Sequence, residues 1–339
     1  MSKLKLPPNC LFGWNISKLK DWIDTLTVLQ RHNKKLTFVV MKDQVFTTYK
    51  QDETIMHCSF MSNMVPNLTV RRPVIFGMYV PEWITILHYF KSQHARLVTV
   101  LQQPETGKII FHAENPDPTR KTILNRDSTV IEVEPDIPVF KRNYRLYPLG
   151  EIQVPSKEFY HHCRNIALNN HWVEFEIDVL QQSMVLRSAK TSDVKIDVRL
   201  IPNRLNPLVQ ALEEEDISPA LQLLVQSYIT HVPLVVRNIF PADKLQKHSY
   251  AHKVNSFVSL RIADNTELLM TYVIKQSAVN ALETSRIEGW IGYQVKRKND
   301  ALLQSKIEVE CLSDCTSPTK VPTKKKSSST HKRRKLTTA

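Results

Sequence analysis

One pattern of secondary structure occurs twice along this chain, and it constrains the fold more than any other feature. Each copy begins with an amphipathic helix, continues with alternating strands, contains a second amphipathic helix and ends with further strands. The first copy spans residues 16–133 and the second spans residues 150–274. A duplicated unit with only 6 glycines and no catalytic cluster predicts a scaffold that binds a partner.

The first copy has two helical stripes. Ile16, Leu19, Ile23 and Leu26 follow the i, i+3, i+4 spacing of a helix that is buried on one face. Pro81 opens the second helix, where a proline in the first turn loses no hydrogen bond. Strands are predicted at residues 36–41, 44–49, 55–60, 74–80, 96–102, 108–112 and 129–133.

The second copy repeats this order. Ser156 is predicted to cap a helix on which Phe159 and Cys163 belong to the buried row. A second helix is predicted to begin at Ser218 and Pro219, as cap and first residue. Strands are predicted at residues 151–154, 172–177, 184–188, 194–200, 232–239, 254–263 and 267–274. A helix at 276–286 and strands at 290–295 and 306–312 have no counterpart in the repeat.

Composition excludes several classes of protein. With 339 residues and 42% hydrophobic residues, the chain can bury two ordinary cores. No apolar run approaches the ~20 residues that span a bilayer, and no signal peptide is evident. The 5 cysteines are odd in number and irregularly spaced, which predicts reduced thiols. Cys311 and Cys315 alone do not make a zinc site, and we expect neither metal nor cofactor.

The positive charge is concentrated at the C-terminus. Residues 316–339 contain no Asp or Glu, and their Ser, Thr and Pro content predicts a disordered tail. The basic residues of its two clusters are Lys324, Lys325, Lys326, Lys332, Arg333, Arg334 and Lys335. Such clusters are typical of nuclear localisation signals, although they also serve nonspecific contact with nucleic acid. We interpret this segment as an import signal and expect a nuclear protein.

Sequence motifs of enzymes are absent. The chain has no phosphate-binding glycine loop, no zinc-protease helix and no nucleophile elbow. In the triplet from His161 to Cys163, the helical phase sends the thiol towards the core and His161 towards solvent. The dense acidic run at residues 213–216 lies in a predicted loop, where solvated charge is the ordinary explanation. We therefore predict a protein without catalytic activity.

Three stretches give the order of elements a resemblance to a known family. They are residues 76–80 (FGMYV), 154–159 (VPSKEF), and the pair 259–264 and 268–272 (SLRIAD and LLMTY). Together with the order of helices and strands over residues 16–274, they resemble the sliding-clamp superfamily, which includes proliferating cell nuclear antigen and the viral DNA polymerase processivity factors. The resemblance implies an α+β fold, a two-domain DNA clamp in which each domain has antiparallel sheets outside and two helices on the DNA-facing side.

This resemblance divides the chain into four parts. Residues 1–133 form an N-terminal clamp domain, and residues 134–149 form the connector. Residues 150–315 form a C-terminal clamp domain with additional elements, and residues 316–339 form the basic tail.

On a clamp, helix residues that avoid the core would face double-stranded DNA. The basic candidates here are Lys18, Lys20, Lys91, His94, Lys157, His161 and Arg164. Neutralising phosphates with such cations supplies affinity that does not depend on sequence. Asp21 and Asp24 do not fit this expectation. The alternative is that any amphipathic helix shows lysines to solvent.

The connector is the second candidate site. In clamps this segment docks polymerases and other clients, and here Ile137, Pro138, Val139 and Phe140 occupy it. Prolines keep such a segment extended and remove backbone donors, so that its apolar side chains are presented to a partner. The alternative is an ordinary linker whose apolar residues pack against the domain edges.

The resemblance also bears on assembly and on the kind of clamp. Pairing between subunits would use edge strands, at residues 108–112 and 194–200, to form a homodimer or a trimer. Cellular clamps are acidic, whereas herpesvirus-type processivity factors are basic, have basic tails and hold DNA directly. A positive core with a basic tail favours the viral type, a processivity factor that tethers a polymerase during DNA replication. The alternatives are a subunit of a DNA-damage checkpoint clamp and a nucleic-acid enzyme.

Overall fold

The computed structural model describes residues 4–52, 54–62, 64–103, 105–114, 123–131, 137–138, 151–178, 181–201, 235–262, 267–274 and 289–296. The predicted repeat is confirmed over these residues. The first half contains β1 (Phe12–Ile16), α1 (Leu19–Leu29), β2 (Lys35–Val40), β3 (Val45–Gln51), β4 (Thr54–Phe60), β5 (Thr69–Val70), β6 (Val74–Tyr79), α2 (Val80–Ser92), β7 (Val98–Gln103), β8 (Lys108–Glu114) and β9 (Ile123–Thr129).

The second half follows the same order. It contains β10 (Glu151–Pro155), α3 (Ser156–Asn169), β11 (Trp172–Asp178), β12 (Ser183–Ser188), β13 (Thr191–Asp197), β14 (Arg199–Ile201), β15 (Val235–Pro241), α4 (Ala242–Ser249), β16 (Phe257–Ile262), β17 (Glu267–Ile274) and β18 (Gly289–Lys296). A 3-10 turn, Tyr250–Lys253, follows α4 directly. Over the described residues, each half therefore contains, in this order, a strand, a helix, three strands, a short strand, a strand, a helix and three strands.

Three antiparallel sheets carry this repeat. The first half has a five-stranded sheet of order β5-β1-β7-β8-β9, and the second has a four-stranded sheet of order β13-β12-β11-β15. A nine-stranded sheet of order β14-β10-β16-β17-β18-β4-β3-β2-β6 belongs to both halves. The halves join where β18 pairs with β4, for example at Ile291 opposite Cys58. Backbone hydrogen bonds thus run without interruption from one half into the other.

The core fills the space between these sheets and the helices. Trp14, Trp22 and Trp83 are among its largest fully buried side chains. The Trp22 ring stacks on Phe60 with centroids 4.3 Å apart, and its indole N–H donates to the Met64 carbonyl at 2.9 Å. Burial of aromatic rings on this scale is a main source of folding free energy.

The sequence prediction missed one helix of the second half. The helix that corresponds to α2 is α4 (Ala242–Ser249), which follows β15 as α2 follows β6. The helix predicted to begin at Ser218 and Pro219 lies outside the described residues, as do those elements predicted at 276–286 and 306–312. Ser156 is the first residue of α3 and makes no capping bond; its hydroxyl donates instead to the carbonyl of Asn255.

Several strand predictions also need correction. The last strand of the first half is β9 (Ile123–Thr129) and not residues 129–133. β1 was not predicted as a strand, and residues 194–200 divide between β13 and β14. The strand predicted at 290–295 is present as β18, but it completes the repeat instead of standing outside it.

The sheet edges decide which strands can pair with a second chain. Residues 108–112 were predicted to be an edge, but β8 is covered by β7 on one side and β9 on the other. The outer strands of that sheet, among the described residues, are β9 and the two-residue β5. In the second half β13 is an outer strand, which confirms the prediction for residues 194–197.

Candidate nucleic-acid interface

The helices of the two halves form a contiguous layer. α1 packs against α2, and α3 packs against α4. The 3-10 turn Tyr250–Lys253 contacts both α1 and α3, so that it links the two helix pairs at the joint between the halves. This layer brings together residues that lie more than 200 positions apart in the chain.

Six of the seven predicted DNA-binding residues are exposed in this structure. They are Lys20, Lys91, His94, Lys157, His161 and Arg164. Lys18 is half-buried at the N-terminal boundary of α1. Asp21, which did not fit the expected pattern, is 7% exposed and therefore contributes little negative charge to the surface.

His94 has a structural role besides its exposure. It lies just beyond α2 with φ of 55°, in the left-handed region that residues with a Cβ seldom occupy. The next residue, Ala95, donates its N–H to the Phe90 carbonyl at 3.0 Å, which satisfies one of the last carbonyls of the helix. His94 therefore terminates α2, and its ring is presented from a turn.

Sequence reasoning missed two exposed cations of this layer, Arg31 and Lys253. Arg31 follows α1, and Lys253 ends the 3-10 turn. The Cζ atom of Arg31 lies 3.4 Å from the centroid of the Tyr250 ring, and Nζ of Lys253 lies 4.8 Å from the same centroid. Both distances are within the range of a cation–π interaction. Pro241 followed by an acid at Asp243 was a signal for α4, and hence for the turn after it.

Cations predominate on the exposed side of the layer, and its acids are partly engaged. Glu82 of α2 accepts a hydrogen bond from the Ser128 hydroxyl at 2.6 Å. Glu158 of α3 lies 3.8 Å from His162, one helical turn away. A surface with this excess of positive charge attracts polyanions and releases their counterions.

The four-stranded sheet of the second half carries a cluster of ion pairs. Glu176 of β11 binds the Arg187 guanidinium through both oxygens, at 2.7 and 2.8 Å, and also accepts from Arg237 at 2.6 Å. Asp193 is 3.2 Å from Arg187. In this cluster the carboxylates neutralise the two guanidinium groups. Lys50 and Lys195 are exposed elsewhere on the strands.

Two of the four predicted client-docking residues fall within the described part of the chain. Ile137 and Pro138 are half-buried. Val139 and Phe140 lie outside the described residues, as do the basic clusters of the tail.

Cys163 follows His161 and His162 on α3, and its thiol faces the core as the helical phase predicted. Cys163 is buried, and burial raises the pKa of its thiol well above the ordinary value, which leaves it a poor nucleophile at neutral pH. Among the residues that the structure describes, no group of three His, Cys, Asp or Glu side chains is arranged to hold a metal ion. The same residues include no helix long and apolar enough to cross a membrane.

The repeated strand-helix order, the sheet shared by both halves and the helical layer together define the sliding-clamp fold, as the sequence resemblance predicted. One solved structure with this fold is that of proliferating cell nuclear antigen from Entamoeba histolytica. It aligns with 86% of this chain and 100% of its own, with a TM-score of 0.62 and 9% identity. No protein-family model and no curated protein matches the sequence. At 9% identity the likeness concerns the fold alone.

Proposed function

We propose that this protein binds double-stranded DNA on its helical layer and acts as a sliding clamp, a processivity factor that tethers a DNA polymerase during replication. The observation that carries the proposal is the set of exposed cations on α1, α2 and α3, on the surface formed by the helices. The clamp fold provides a scaffold on which such a surface can follow the DNA backbone without reading its sequence. In this role the protein is a non-enzymatic tether.

The proposed partner of the connector is the polymerase. Ile137, Pro138, Val139 and Phe140 would present apolar side chains to a short client segment, and prolines would hold the strand extended. The tail clusters would direct the protein to the nucleus. Because its charge is strongly positive, we place it with the processivity factors that bind DNA directly, the type known from viruses.

A second copy of this chain is the proposed partner of the outer strands. Among the strands that the structure describes, β9 and β13 each have a neighbour on one side only, which leaves one row of backbone N–H and C=O groups unpaired within the sheet. Strand addition between β9 of one copy and β13 of the next would satisfy both rows. Such a contact joins two different surfaces, so that repeating it closes a ring or continues into a chain.

The test of this proposal is binding of the purified protein to linear duplex DNA as a function of salt, with its mass in solution measured alongside. We expect the logarithm of the association constant to fall linearly with the logarithm of salt, with a slope on the order of −5, since each neutralised phosphate contributes about −0.9. A subunit of a checkpoint clamp would neither self-associate nor stimulate a polymerase alone. Absence of DNA binding at low salt would refute the proposal.

A further inference from the structure

The joint between the two halves carries an unusual group of aromatic and basic side chains. Tyr250, at the start of the 3-10 turn, is 7% exposed. Its ring packs edge-on against Tyr160 of α3, with centroids 6.0 Å apart. Tyr160 in turn stacks on His252, with centroids 4.3 Å apart and ring planes 21° apart. These three rings fix the turn against α3.

Arg31 and Lys253 lie against an aromatic ring, and neither forms an ion pair with an acid within the described part of the chain. Arg31 and Lys253 both lie against the Tyr250 ring, at 3.4 and 4.8 Å from its centroid. A carboxylate partner would neutralise most of their charge, whereas an aromatic face positions a cation and leaves its full charge. Both side chains remain exposed. They are therefore fixed in place and still available to an anion.

α3 contributes further basic side chains close to His252 of the 3-10 turn. His252 is half-buried, and its Nδ1–H can donate to the Ser249 carbonyl at 3.3 Å. Burial is the main cause that lowers the pKa of His252; the Ser249 carbonyl opposes this, and Lys253, His161 and Lys157 lower it further. The charged groups that act on His252 are thus all cations. α3 contains one acid, Glu158, and its carboxylate lies near His162.

We propose that a cluster of five side chains at this joint binds the phosphate groups of a DNA backbone. The cluster consists of Arg31, Lys253, Lys157, His161 and His252. The inference rests on the proposed function and extends it, because it places a phosphate contact at the joint between the halves, where three separate elements supply the cations. A phosphate bound there would stabilise the protonated imidazole of His252. DNA binding would then be coupled to the uptake of one proton.

The coupling has a defined direction. Since the free site disfavours the imidazolium and a bound phosphate favours it, the affinity for DNA rises as the pH falls from 8 to 6. One coupled proton limits this rise to less than about tenfold per pH unit. A joint that only supports the fold would show no such dependence on His252.

The experiment is fluorescence anisotropy of a labelled 30-base-pair duplex with the full chain, at several salt concentrations and at pH 6, 7 and 8. The test variant is Arg31→Gln with Lys253→Gln, which removes two charges and keeps polar side chains. Its matched control is Lys42→Gln with Lys50→Gln, two exposed lysines on the β2–β3 hairpin. We expect the test variant to weaken binding by about 50-fold at 0.1 M salt and to reduce the salt slope by about 2.

Two single variants examine the parts of the site. Tyr250→Phe keeps the aromatic face and should bind DNA like the wild type. His252→Gln should remove the part of the pH dependence that the bound proton supplies. If the wild type binds DNA and the variant at Arg31 and Lys253 binds it as tightly as the control variant does, this inference is overturned and the proposed function still stands. No binding by the wild type would overturn both.

Discussion

Lowering the pH from 7 to 5 is expected to reduce the free energy of unfolding by at least about 2 kcal/mol, because His32 and the buried His248 both resist protonation while the chain is folded. His32 follows α1 and His248 lies on α4, and their rings stack with centroids 5.1 Å apart. Tyr293 of β18 packs against both, at 4.5 Å from His248 and 5.1 Å from His32. The group lies at the joint of the two halves, so that its packing links them.

The surroundings of this group oppose a positive charge. Burial is the main cause that lowers the pKa of His32 to about 3 and the pKa of His248 well below 6.5; the neighbouring Lys247 lowers both further. Within the described part of the chain, neither ring nitrogen of His248 has a hydrogen-bond partner that could stabilise an added proton. Lys244 is also close, and it is paired with Asp52 at 2.7 Å.

The sign follows from the order of the pKa values. The unfolded chain binds a proton at each histidine as the pH falls through 6.5, while folded His32 binds none until about pH 3. The contribution of these histidines to stability is present above pH 6.5 and is lost as the pH falls, by about 2 kcal/mol for His32 between pH 7 and 5. His248 adds to this loss in the same direction. Asp52 and Asp127 have pKa values lowered from 3.8, so that their contributions are lost only below this window.

The measurement is urea unfolding at a series of pH values from 8 to 5. His248→Phe keeps an aromatic ring in the stack and removes one proton site, so that it should remove the part of the loss that His248 contributes. His88→Gln, at an exposed residue of α2, is the control and should retain the wild-type loss. A wild-type free energy of unfolding that stays constant between pH 7 and 5 would contradict this account.

Reversing three charges on the helical layer is expected to weaken DNA binding by about 1,000-fold at 0.1 M salt. The variant is Lys20→Glu, Lys157→Glu and Arg164→Glu, at exposed residues of α1 and α3. Each phosphate contact that is lost contributes about tenfold at this salt concentration, because the counterion-release term scales with the number of contacts. The fold should be retained, since substitutions at exposed positions usually change stability by less than about 0.5 kcal/mol.

The matched control reverses three cations away from the helical layer, as Lys42→Glu, Lys50→Glu and Arg72→Glu. The net charge changes equally in both variants, so that a general electrostatic effect would weaken both alike. Lys50 is exposed on β3, and Arg72 is exposed in the turn between β5 and β6. If the two variants lose the same affinity, DNA binding is not confined to the helices.

The helical periodicity predicted α1, α2 and α3, and it failed at α4 for a physical reason. The buried positions of α4 are Ala242, Leu245, His248 and Ser249, of which only Leu245 is large and aliphatic. Its packing depends on contacts with α3 and on the histidine stack, which no local pattern reveals. β9 was misplaced for a related reason, since its outer position leaves Asn125, Arg126 and Asp127 exposed.

The sequence predicted those residues of the candidate site whose exposure depends on spacing within one helix. It did not predict the residues that come together only because the two halves of the chain pack against each other. The apolar row of α3 fixes which face of this helix is buried, and the other face therefore exposes Lys157, His161 and Arg164. Arg31 and Lys253 are 222 positions apart by their sequence numbers and meet at one tyrosine only because the halves join. The sequence pattern likewise places β18 outside the repeat, whereas its pairing with β4 shows that it joins the two halves.

The most direct test of the central claim is to find which surface touches DNA. A photo-crosslinking amino acid would be placed at Lys157 on α3 in one variant and at Lys195 on β13 in another, and each would be irradiated with labelled duplex. We expect crosslinks from position 157 and none from position 195. Crosslinks from position 195 alone would contradict the proposal that the helices hold the DNA.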